Sequence, residues 1–134
     1  MHPGECGRSV CLCDFGMSEA KDRSKSMTTA VGVSSGSGSG GLTVQWSSPE
    51  LLKGKRKDRA SDVFALAVTL WETFERDTPF SGMVDAIVIN QILTGIRPAF
   101  EKTPVEFRTL IKKAWGDDAK SRPSAAQMAC VLSN

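Results

Sequence analysis

Residues 61–75 restrict this chain more than any other stretch. Val63, Phe64, Leu66, Ala67, Val68, Leu70, Trp71 and Phe74 fit a helix yet leave almost no polar face. A helix that is apolar nearly all round belongs at the centre of a domain, not on its surface. Ser61 is placed to cap its N-terminus, and Asp62 is the first-turn carboxylate that the helix dipole favours. Such a helix requires neighbours on every side. Any face left bare predicts a sticky surface and self-association.

The downstream sequence supplies helical neighbours. Residues 85–93 predict a second helix, closed by Gly95 and then Pro98. Thr103-Pro104-Val105-Glu106 reads as a capping box with proline at the first helical position, followed by Phe107, Leu110, Ile111, Ala114 and Trp115 on one stripe. Ser124-Ala125-Ala126-Gln127 is another such box, and Met128, Val131 and Leu132 are the expected buried side of the last helix. Upstream, Ser9-Val10-Cys11-Leu12-Cys13 suits a short buried strand that stops at Asp14-Phe15-Gly16. Periodicity is then lost over residues 17–47, where the Gly/Ser-rich stretch 33–41 predicts a flexible loop, because burial cannot offset its backbone entropy. The expected fold is mainly α, one domain over residues 1–134, with a short β segment at the N-terminus and a long loop.

Composition sets few further limits. A hydrophobic share of 40% in 134 residues is that of a globular chain, and a net charge of +2 demands neither nucleic acid nor an anionic membrane. No apolar run is long enough to span a bilayer and the first residues do not resemble a signal peptide, so an intracellular, cytoplasmic protein is expected. In that setting Cys6, Cys11, Cys13 and Cys130 are reduced thiols. A zinc site from His2, Cys6, Cys11 and Cys13 is disfavoured, since Cys11-Leu12-Cys13 lacks the usual spacer between ligands. The basic run Lys53-Gly54-Lys55-Arg56-Lys57-Asp58-Arg59 fits a solvated loop better than an import signal or a nucleic-acid patch.

Four short motifs stand in a fixed order: Asp14-Phe15-Gly16, Ser48-Pro49-Glu50, Ser61-Asp62-Val63 and Arg122-Pro123-Ser124. In this order, with helices between them, the chain resembles the protein kinase family from its magnesium-binding motif to its final helix. The fold implied is the C-terminal lobe of a kinase domain, with residues 17–47 as activation loop. The resemblance makes Asp14 a magnesium ligand, a hard oxygen donor for a hard cation, with Phe15 and Gly16 as structural neighbours. It makes Glu50 and Arg122 a buried ion pair, since neither charge survives burial alone. It has Asp62 accept hydrogen bonds from a catalytic loop. Thr43 stands where serine/threonine members carry threonine, and Trp46 is shared with tyrosine kinases. Both belong to the segment that faces substrate, and the mixture points to the tyrosine-kinase-like group. Core packing is an equal reading for Trp46. The family normally has alanine in place of Ser48.

The family's His-Arg-Asp-Leu-x-x-x-Asn stretch, which carries the general base and a second magnesium ligand, has no match in residues 1–13. No catalytic residue of that kind is present in these residues. Phosphoryl transfer depends on positioning and charge stabilisation, so the chain alone is expected to be inactive and to bind neither ATP nor magnesium, the cofactors of the complete domain. Two functions remain: part of a serine/threonine kinase, or a non-catalytic pseudokinase-like interaction module. Either takes a protein as substrate or partner. Ser24, Ser26, Thr28 and Thr29 lie near Lys21, Arg23 and Lys25 and are candidate phosphorylation sites, while tyrosine modification is excluded because the chain has no tyrosine. The helix at 85–93 carries Ile87, Val88, Ile89 and Ile92, and the corresponding family helix often serves as a docking surface.

Overall fold

A computed structural model describes residues 43–133. The expected strand at 9–13, Asp14, Phe15, Gly16, the candidate zinc ligands His2, Cys6, Cys11 and Cys13, most of the 17–47 loop, and Ser24, Ser26, Thr28 and Thr29 lie outside the described residues. Five helices follow in order: α1 (Pro49–Leu52), α2 (Arg59–Glu75), α3 (Asp85–Leu93), α4 (Val105–Ala114) and α5 (Ala125–Leu132). Short 3-10 turns stand at Val44–Trp46 and Ala119–Ser121. The described part is mainly helical and contains no strand.

Helix α2 is the centre, as its composition requires. Val63, Phe64, Ala67, Val68 and Trp71 are buried in one cluster with Val88 and Ile92 of α3, Leu110, Ile111 and Ala114 of α4, Trp115, and Met128 of α5. Phe74 stacks on Phe107 with ring centroids 5.0 Å apart, which joins α2 to α4. The Trp71 indole N–H donates to the Ala99 carbonyl at 2.9 Å, so its polar edge is satisfied inside the core. Gly95 ends α3 with φ of 87°, and a Cβ there would lie 3.1 Å from an Asp117 oxygen, so both backbone and space call for glycine.

Four expectations change. The cap of α2 is Asp58, not Ser61: the helix starts at Arg59, and the Asp58 carboxylate accepts from the Ser61 N–H at 2.9 Å. The box at Thr103 does not form. Pro104 flanks α4, while the Thr103 N–H and hydroxyl both donate to Glu75, a charged acceptor that outcompetes a neutral helix end. At α5 the Ser124–Gln127 box is present, but only Met128 is buried. Val131 and Leu132 are 44% and 37% exposed, because the final turn projects past the core. Finally, α2 is better covered than its composition suggested: Phe64, Val68 and Trp71 are buried, and Leu66 and Leu70 are half-buried. Of the exposed large apolar side chains, Met83, Val84, Ile87, Leu93 and Ile96 lie in or beside α3, and Val105 stands at the start of α4.

Candidate functional site

The site is built where the segment at 43–48 meets α1, α2 and the turn before α5. Thr43 is exposed, and its carbonyl accepts from the Trp46 N–H at 3.1 Å and the Ser47 hydroxyl at 2.9 Å. That tie closes the 3-10 turn and lays half-buried Trp46 against the core. Ser48 then caps α1, with Pro49 at the first helical position, where a missing N–H costs nothing.

Glu50 leaves the first turn of α1 toward Arg122. The Arg122 guanidinium donates to both carboxylate oxygens, at 2.6 and 2.9 Å, in a bidentate pair. Its remaining donors reach the Ala60 carbonyl at 2.9 Å and the Gly116 carbonyl at 2.9 Å. Its side chain is fully buried and its guanidinium carbon lies 5.2 Å from the centroid of the Phe64 ring. One side chain thus ties α1, the start of α2 and the turn before α5. Partial burial alone would push the Glu50 carboxyl up. The Arg122 hydrogen bond, a backbone N–H and the Arg122 charge override it and hold Glu50 at about 2.

Two serines complete this joint. The Ser48 hydroxyl, fully buried, donates to the Ser61 hydroxyl at 3.2 Å. Ser61 in turn lies 3.3 Å from Glu50 Oε1 and 3.1 Å from Asp58 Oδ1, sharing its proton between two carboxylates. The serine that stands at an alanine position is therefore bonded across to α2. Asp62 is exposed in the first turn of α2, and among the described residues no donor reaches its side chain.

A second joint had no signal in the sequence. Glu75, buried at the end of α2, accepts from the backbone N–H groups of Glu101, Lys102 and Thr103 at 2.9–3.0 Å, and from the Thr103 hydroxyl. Burial again opposes the charge, yet these four donors hold the carboxyl at about 2. Three of its four donors are main-chain groups, which every residue carries, so no residue pattern announces them. Arg97, likewise missed, donates to Asp117 at 2.7 Å and places its guanidinium carbon 5.1 Å from the Phe64 centroid.

These groups position the chain. A carboxylate held near 2 is a weak base for a hydroxyl proton at neutral pH. The one histidine of the chain, His2, lies outside the described residues. Among the described residues no three His, Cys, Asp or Glu side chains are grouped to hold a metal ion, and no helix is long and apolar enough to cross a membrane.

Comparison with known proteins agrees with this layout. The sequence profile described as protein tyrosine and serine/threonine kinase matches residues 5–132. A probable serine/threonine-protein kinase of Dictyostelium discoideum is 32% identical over 127 residues, covering 92% of this chain and 13% of its own length. Mitogen-activated protein kinase kinase kinase 7 of Drosophila melanogaster is 30% identical, with 94% and 17% covered. Tyrosine-protein kinase Fer of Rattus norvegicus is 32% identical, with 87% and 14% covered. The chain spans less than a fifth of the length of any of these three relatives. With a profile matched over nearly its whole length and the Glu50–Arg122 joint in place, the chain belongs to the protein kinase family, as a C-terminal fragment of its domain.

Proposed function

We propose that these residues serve as part of a serine/threonine kinase whose complete domain moves the γ-phosphate of ATP onto a protein hydroxyl, and that the 134 residues alone are inactive. The observation that carries the reading is the bidentate Glu50–Arg122 pair, which anchors the segment holding Thr43 and Trp46 onto α2. In this reading Thr43 and Trp46 face the substrate, and Asp14 holds the magnesium of the complete domain. Asp62 meets the catalytic loop, and phosphorylation at Ser24, Ser26, Thr28 or Thr29 orders the activation segment. The family's His-Arg-Asp stretch, which carries the general base, has no match in the sequence.

Phosphate transfer from labelled ATP with magnesium tests this. The purified chain should show no turnover on a generic protein substrate. Joined to the upstream half of a tyrosine-kinase-like relative it should phosphorylate serine and threonine, and Asp14→Ala should abolish that activity. Turnover by the chain alone would overturn the inactivity. A folded chimera without activity would favour a non-catalytic interaction module.

A further inference from the structure

Three lysines that the proposed function leaves unused meet at one cleft. It has a volume of about 250 Å³, lies between α1 with its following loop and the 3-10 turn at Ala119–Ser121, and is lined by Lys53, Lys55, Lys120, Glu50, Asp117 and Asp118. Every carboxylate there is already engaged. Glu50 is bound to Arg122 and Asp117 to Arg97, while Asp118 accepts from the Lys120 N–H at 3.1 Å and the Ser121 hydroxyl at 2.8 Å. The three lysines are exposed, and none has an ion-pair partner among the described residues. The lining holds three lysines against three carboxylates, but two of those carboxylates are neutralised by arginines outside it, which leaves the lysines in positive excess.

The backbone under these lysines is fixed. Lys53 ends α1, Gly54 turns left-handed with φ of 84°, and the N–H groups of Gly54 and Lys55 return to the carbonyls of Leu51 and Glu50, each at 3.0 Å. This closure sets Lys53 and Lys55 on either side of one tight turn. Lys120 is set opposite them by the turn that Asp118 caps. The basic run that looked like a solvated loop thus gains a cation from 65 positions beyond Lys55 in the chain.

We propose that this cleft docks one phosphorylated serine or threonine of a partner protein. A phosphate monoester brings close to two charges and three acceptor oxygens, which suits three ammonium groups better than a single carboxylate does. The acidic wall and the small volume disfavour an extended polyanion, and the chain's net charge of +2 gives little general pull toward nucleic acid or membrane. The site is separate from the segment at 43–46 and does not depend on catalytic activity.

Fluorescence anisotropy of a short labelled peptide with one phosphoserine, against its unphosphorylated twin, tests the proposal on the full 134-residue chain. The phosphopeptide should bind at least about tenfold tighter, the scale of one charge-assisted hydrogen bond, and the advantage should shrink in high salt. Lys53→Ala, Lys55→Ala and Lys120→Ala should each remove most of it, whereas Lys113→Ala, at the end of α4, should not; circular dichroism checks that each variant is folded. Equal affinity for the two peptides would overturn the proposal, as would a folded Lys120→Ala that binds like the parent. Displacement of the phosphopeptide by single-stranded DNA or phosphatidylserine vesicles at equal phosphate concentration would overturn it in favour of a general polyanion surface.

Discussion

Glu50 and Glu75 are both held at about 2, but by opposite kinds of partner. Glu50 meets a guanidinium from 72 residues away, and Glu75 meets three backbone N–H groups and a hydroxyl from 26–28 residues away. The first joint ties α1 to α2 and the turn before α5. The second ties the end of α2 to the entry of α4. An ion pair is specific in residue type, so exchanging either side chain breaks it. An amide cradle is specific in backbone shape, so only the acceptor and the Thr103 hydroxyl are vulnerable to side-chain exchange.

The largest effect separating the two should come from Arg122→Met and Glu50→Gln. Each strands a buried or half-buried charged partner and should cost about 3–5 kcal/mol in denaturant unfolding. The double variant should cost clearly less than the sum of the two. Strict additivity would mean that the pair contributes nothing as a pair.

Next in size is the dependence on pH. Both carboxyls sit below the ordinary 4.5, so their stabilisation is fully present above that value and is lost as pH falls from 4.5 toward about 2. Thermal melting between pH 5 and pH 2 should show a steep fall in the parent and a shallower one in Glu75→Gln and in Glu50→Gln. Glu75→Gln should also speed amide exchange at residues 101–103, an effect that Glu50→Gln should not share. Unchanged exchange there would show that the loop holds its shape without the carboxylate.

The smallest effect should come from Ser48→Ala, which restores the residue usual at this position. It removes the cap of α1 and the bond to Ser61, so a loss of about 0.5–1.5 kcal/mol is expected. In the Arg122→Met background the loss should shrink if Ser48 acts through the Glu50 joint. An unchanged loss would reduce Ser48 to an ordinary helix cap.

Much of the fold was legible because helices declare themselves locally. The apolar run at 61–75 marked the central helix, 85–93 matched α3 to the residue, and the Ser124–Gln127 box formed as written. The errors fell where a local signal met a stronger distant one. Thr103 looked like a cap until Glu75 claimed its donors, and Ser61 looked like a cap until Asp58 took the role three residues earlier.

The sequence alone determined the four longer helices but not α1, and also which helix must be central and which acid and base the family resemblance pairs, because periodicity, capping residues and ordered motifs are properties of neighbouring positions. Only the tertiary structure decided that Glu75 is cradled by amides, that Val131 and Leu132 stay exposed, and that Lys120 joins Lys53 and Lys55 at one cleft. Those facts depend on which backbone groups and charges become neighbours across long chain separations. Main-chain donors look the same at every residue, so chain folding, not residue identity, selects them.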